Sequence, residues 1–171
     1  MATLLDLAGA QNGPLFKLDP QLDEDELENR IFYTNEKLRT WILDTLPGLE
    51  TYHESQTVSP QQQFAELVAT FASGLPLYIG DDFKPFYRNT PTPIGGGVWY
   101  FKTSDLRIFG WFPARDCFVG VVADDYRVKV KDLYEGYRGE VIRFREAVPL
   151  DPPKFIDGVD PNGVLSNWHF P

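Results

Sequence analysis

The sequence predicts an α+β fold, with a helical N-terminal half packed on a small antiparallel sheet over residues 98–131 and a further helix after the sheet. Three observations predict it. Residues 59–74 read as a capped amphipathic helix. Three strand-like runs follow from Val98 to Ala123 with short turns between them, and an apolar stripe at helical intervals begins at Leu133.

Residues 1–21 have weak periodicity and contain Gly, Pro and Asn, so an irregular arm is expected, packing Leu4, Leu5, Leu15 and Phe16 on the body. The acidic cluster Asp23, Glu24, Asp25, Glu26 and Glu28 then opens a segment whose Leu27, Ile31, Leu38, Trp41, Ile42 and Leu46 fall at helical spacing, up to Pro47-Gly48. Carboxylates in a first turn complement the helix dipole, so the acidic run needs no metal or basic partner. The second helix has Ser59 as N-cap, Pro60 at the first position, Gln62 completing a capping box and Gly74 past the end, with Phe64, Leu67, Val68 and Phe71 on its buried face.

Leu77-Tyr78-Ile79 reads as a short strand and Asp81 to Gly97 as a long loop. The runs Val98 to Thr103, Leu106 to Phe112 and Cys117 to Ala123, joined by Ser104-Asp105 and by Pro113 to Asp116, read as an antiparallel meander. Tyr126 to Lys131 alternates, which as a strand would put Arg127, Lys129 and Lys131 in a basic stripe. Leu133, Tyr137, Val141, Phe144 and Val148 then form a helix stripe, weakened by Gly136 and Gly139, and a proline-rich tail ends in an aromatic arm, Trp168-His169-Phe170.

A chain of 171 residues that is 43% hydrophobic supplies one core, so a single domain is expected. No apolar run approaches the roughly 18 residues of a membrane span, the start lacks a secretion-signal pattern, and the expected location is the cytoplasm, with no membrane partner. A lone Cys117 and the distant His53 and His169 offer neither an internal disulfide nor zinc-like spacing. A net charge of −9 argues against coating DNA. The charge is uneven, however: residues 1–98 carry 6 basic and 14 acidic side chains against 9 and 8 in residues 99–146, so anion-binding capacity belongs to the sheet region.

Most motif readings end in structure rather than chemistry. Gly95-Gly96-Gly97 lacks the Lys-Ser/Thr and the helix of a phosphate loop, and Asp160-Pro161-Asn162-Gly163 lacks the carboxylate that a calcium loop needs at its end. Cys117 opens an apolar strand, and the pairs Asp81-Asp82 and Asp124-Asp125 read as solvated loop acids. Neither a metal nor a cofactor is called for. The chemically richest set is basic: Lys102, Arg107, Arg127, Lys129 and Lys131, then Tyr134, Tyr137 and Arg138. Cations beside a phenol can hold a phosphodiester, neutralise developing charge and move a proton. The same residues also suit a solvated face that balances the acidic half. Convergence of Lys102, Arg107, Arg127 and Lys129 on an open concavity favours chemistry, and helices covering that face count against it.

The run Gly97-Val98-Trp99-Tyr100-Phe101-Lys102-Thr103-Ser104-Asp105-Leu106-Arg107-Ile108-Phe109-Gly110-Trp111-Phe112 resembles the central strands of the RelE/HigB/ParE toxin superfamily, in which a Gly-Leu-Trp-Glu-Leu-Lys-like strand turns into an Asp-Tyr-Arg-Ile-like strand. The resemblance implies a RelE-like core over residues 59–146, an N-terminal extension and helix over 1–58 and an irregular arm over 147–171. It further implies a toxin of a toxin-antitoxin pair, cleaving messenger RNA on the ribosome by metal-independent proton transfer, with an antitoxin protein as partner. On that resemblance Arg107 holds the scissile phosphate, Lys102 assists, and Lys129, Lys131 and Tyr134 are candidates for the remaining catalytic group; Arg127 and Arg138, from the basic set above, are expected to help Arg107 bind the phosphate. A different class of function, a non-catalytic protein-binding module, is implied by the acidity and by the aromatics Trp99 to Phe101 and Phe109 to Phe112, which cannot all face one core.

Overall fold

The computed structural model describes residues 2–52, 55–86 and 96–171, with the side chains of residues 129 and 130 excepted. His53, Gly95 and most of the expected 81–97 loop therefore lie outside the described residues.

The centre of the molecule is a six-stranded mixed sheet, and this corrects the expectation of a helical half resting on a small antiparallel sheet. In chain order the strands are β1 (Phe16–Lys17), β2 (Ile31–Thr34), β3 (Leu77–Tyr78), β4 (Phe83–Pro85), β5 (Val98–Lys102), β6 (Leu106–Ala114) and β7 (Cys117–Asp125), with β8 (Trp168–His169) at the C-terminus. The sheet order is β1-β2-β7-β6-β5-β4, with β2 parallel to β7 and every other pair antiparallel; β3 and β8 form a separate parallel pair.

The largest difference lies in residues 23–46. The acidic cluster forms no helix. Ile31-Phe32-Tyr33-Thr34 is an inner strand, because its β-branched and aromatic side chains find cross-strand partners on Cys117 to Gly120 that a solvated helix would not provide. Asn35 then caps a short helix, α2 (Glu36–Thr40), its side chain accepting from the Leu38 N–H at 2.8 Å, and a π-helical turn continues to Thr45. The arm at the start is also more ordered than expected: α1 (Leu4–Gly9) is closed by a capping box of Thr3 and Asp6.

The better-marked elements form as read. Helix α3 (Pro60–Ala72) carries the Ser59/Gln62 capping box, and Gly74 follows at a φ of +80°, a conformation that suits glycine at a helix end. The meander β5-β6-β7 forms, extended to Ala114 and Asp125. Helix α5 (Tyr134–Ala147) follows the apolar stripe.

The expected strand over 126–131 does not form. Asp125 accepts the Arg127 N–H at 2.9 Å and clasps its guanidinium, turning the chain into a short helix, α4 (Arg127–Val130), with Val128 fully buried. The basic stripe on a strand is thereby lost. In the tail, α6 (Pro161–Val164) precedes β8, and the aromatic arm is held by Arg30. That buried guanidinium donates to the carbonyls of Phe71, Leu75, Ser166 and Asn167 at 3.1, 2.9, 2.6 and 3.2 Å.

Both sheet faces are covered. One packs Phe32, Trp99, Phe101, Ile108, Phe112 and Phe118 against Phe64, Leu67, Val68 and Phe71 of α3. The other packs Val98, Phe109, Trp111, Val119 and Val121 against Val141, Tyr134 and Tyr137 of α5. The alternating aromatics thus serve two cores, as period-two geometry requires. Gly120 lets α2 sit closely on β7: a Cβ there would stand 2.5 Å from the Leu38 side chain.

Candidate functional site: a cation cluster beside the start of α5

Lys102 ends β5 and Arg107 stands directly opposite it on β6. Tyr100, two residues back along β5, faces Lys84 on the edge strand β4. Strand alternation therefore puts Lys84, Tyr100, Lys102, Arg107 and Phe109 on the α5 side of the sheet. From α5, the Tyr134 ring meets Tyr100 at 5.6 Å and Phe109 at 5.5 Å, edge to face. Asp124 lies opposite Arg107 on β7 and accepts the Tyr137 hydroxyl at 2.5 Å.

Among the described residues no carboxylate lies within 4 Å of the charged ends of Lys84, Lys102 or Arg107. Partial burial, followed by repulsion from Lys84 and Arg107, holds the Lys102 ammonium below its ordinary pKa; Asp81 and Asp82 oppose the effect. Burial, the bond to Asp124 and that residue's negative charge raise the Tyr137 phenol, so it stays a proton donor. Arg107 also serves the turn: its Nη1 donates to the carbonyls of Thr103 and Leu106, both at 2.7 Å, and its Nη2 and Nε meet no acceptor among the described residues.

The rest of the expected set is dispersed. Arg127 is exposed and clasped by Asp125, whose burial alone would raise its pKa but whose hydrogen bonds and charge contact with Arg127 lower it. Arg127 lines a separate recess with Tyr52 and Tyr126. Lys131 is exposed just after α4, and the Lys129 side chain lies outside the described residues. Arg138 is one turn along α5 from Tyr134, 3.7 Å from Glu135 and 5.7 Å over the Phe86 ring. The four residues Lys102, Arg107, Arg127 and Lys129 are thus not brought together as a set, and α5 covers the middle of the face. Lys102, Arg107 and Tyr134 are brought to one face, at its end.

Lys84 was invisible to pattern reading, because β4 is three residues long and sits in a proline-rich stretch; the alternation of Phe83 inward with Lys84 is its only signal. An open groove of about 890 Å³ runs from Lys84 between β4 and the start of α5, lined also by Phe86, Tyr100, Tyr134, Asp132 and Phe170.

Cys117 is buried in the sheet, and burial pushes its thiol up to about 12, which removes it as a nucleophile at neutral pH. Among the described residues no group of three or more His, Cys, Asp or Glu could hold a metal ion, and no helix is long and apolar enough to cross a membrane. Compared with known proteins, the chain gives no match to a family model, to a curated protein or to a solved structure.

Proposed function

We propose that the chain is a toxin-like, metal-independent endoribonuclease acting on messenger RNA, with the phosphodiester held at Lys84, Lys102 and Arg107. The observation that carries the reading is the direct pairing of Lys102 with Arg107, beside Lys84, with no carboxylate of the described residues within ion-pair distance, in a chain of net charge −9. Three cations that repel one another gain most from a bound anion. The resemblance of residues 97–112 to the RelE/HigB/ParE toxins supports the same choice, and it brings the ribosome as setting and an antitoxin as protein partner.

In this reading Arg107, through Nη2 and Nε, and Lys84 hold the non-bridging oxygens. Lys102, in the deprotonated form that its lowered pKa makes more accessible, takes the proton of the 2′-hydroxyl as the O2′–P bond forms, leaving Arg107 and Lys84 as the cations on the phosphate. Tyr134 gives its proton to the 5′-oxygen as the P–O5′ bond breaks. The products are a 2′,3′-cyclic phosphate and a 5′-hydroxyl, with no change of oxidation state.

A second reading, a non-catalytic protein-binding module, is favoured by two observations: Lys102, Arg107, Arg127 and Lys129 are not brought together as a set and α5 covers the middle of the face, which counts against chemistry there, and Arg107 Nη1 is spent on two carbonyls of its own turn, as a structural arginine's would be. Induced expression in a bacterial host separates the two. Growth arrest by wild type, relieved by Lys102→Gln and by Arg107→Ala at matched soluble levels, supports the nuclease. Absence of arrest, or arrest that both variants retain, transfers the weight to the binding module.

A further inference from the structure

We infer that the groove beside Lys84 is a base-binding subsite for single-stranded RNA, preferring bases that carry an exocyclic amino group. The inference rests on the nuclease reading above and adds a substrate feature to it. Phe86 forms one buried wall, the half-buried Tyr134 another, and Phe170, 74% exposed, stands at the rim. Its volume of about 890 Å³ is near the top of the range of about 300–1,000 Å³ found for small-molecule sites. Phe170 packs edge to face against Trp168 at 5.1 Å, which holds it at the rim, and aromatic side chains with an adjoining cation are what an unstacked nucleotide requires.

Three features select this occupant over an apolar ligand. Lys84 belongs both to the groove and to the cation cluster, so a backbone phosphate held there delivers its neighbouring base into the groove. Arg138 lies over Phe86 and is paired with Glu135, which itself lines the groove, so this wall is polar. Asp132, exposed on the rim, supplies a carboxylate that can accept from the amino group of adenine, cytosine or guanine, which uracil lacks. Phe170, at the rim, lies outside residues 59–146, over which the chain resembles the toxins.

The test measures binding of short fluorescent 2′-O-methyl RNA oligomers, which cannot be cleaved, by anisotropy. The probes are an adenine oligomer, a uracil oligomer and an abasic oligomer, and the proteins are wild type, Lys84→Gln and Phe170→Ala, each checked for folding by circular dichroism. The expected result is binding of the adenine oligomer about tenfold tighter than the abasic one, the scale of one stacked base. Uracil should fall between. Phe170→Ala should weaken only base-bearing oligomers, and Lys84→Gln should weaken all three. Equal binding of adenine and abasic oligomers, still weakened by Lys84→Gln, overturns the base subsite and leaves the phosphate reading standing. No binding of any oligomer by folded wild type overturns both.

Discussion

Tyr137 on α5 donates its hydroxyl to Asp124 at the end of β7, directly across the ladder from Arg107. This bond joins the helix that covers the sheet to the strand next to the cation cluster, and so fixes where Tyr134, one turn earlier, can stand.

Removing that hydroxyl tests the link. Tyr137→Phe should cost about 1.5–3 kcal/mol in urea unfolding at pH 7, the scale of a hydrogen bond to a carboxylate. Because the folded phenol is raised above its ordinary pKa of 10.0, its contribution is fully present below pH 10 and is lost as pH rises through the folded value. Equal stability of the two proteins at pH 7 would rule out the bond.

Lys102 should titrate below 10.5, read from its side-chain NMR signals, and Arg107→Ala should move it upward by removing a repelling charge. The sign follows from linkage: the cost of holding a charged Lys102 is present at all pH below its folded value and is relieved as pH rises towards 10.5. A pKa indifferent to Arg107 would mean that the two side chains do not share a face.

The buried Arg30 joins the end of α3 and the C-terminal arm through four carbonyls. Arg30→Ala should destabilise the fold by about 3 kcal/mol or more, since each buried carbonyl left unmatched costs about 1–3 kcal/mol. It should also expose the 161–171 arm to limited proteolysis; an unchanged digestion pattern would contradict the clamp.

Cys117 should react with a thiol reagent only as fast as the sheet opens, and rapidly once urea unfolds the chain, because burial raises its thiol to about 12. Fast labelling of the native protein would show the strand to be accessible.

How much of this was legible in sequence depends on how local the signal was. Ser59, Pro60 and Gln62 mark α3 within four residues, and Ser104-Asp105 places Lys102 opposite Arg107, so one helix and the centre of the site could be read directly. The strand Ile31–Thr34 could not be, because Ile31, Leu38 and Trp41 also fit a helical period, and the deciding partners, Cys117 to Gly120, lie far along the chain. The alternation over Tyr126 to Lys131 misled because a single side chain, Asp125, captures the Arg127 amide and guanidinium. Lys84 escaped because a three-residue edge strand has no measurable period.

The most direct measurement of the central claim is mapping of RNA 5′ ends in cells after induction of wild type and of Lys102→Gln. Proton-transfer cleavage at the Lys102–Arg107 pair predicts new messenger RNA ends bearing 5′-hydroxyls in wild type and their loss in the variant. Identical ends in both, or none in wild type at confirmed soluble expression, would contradict it.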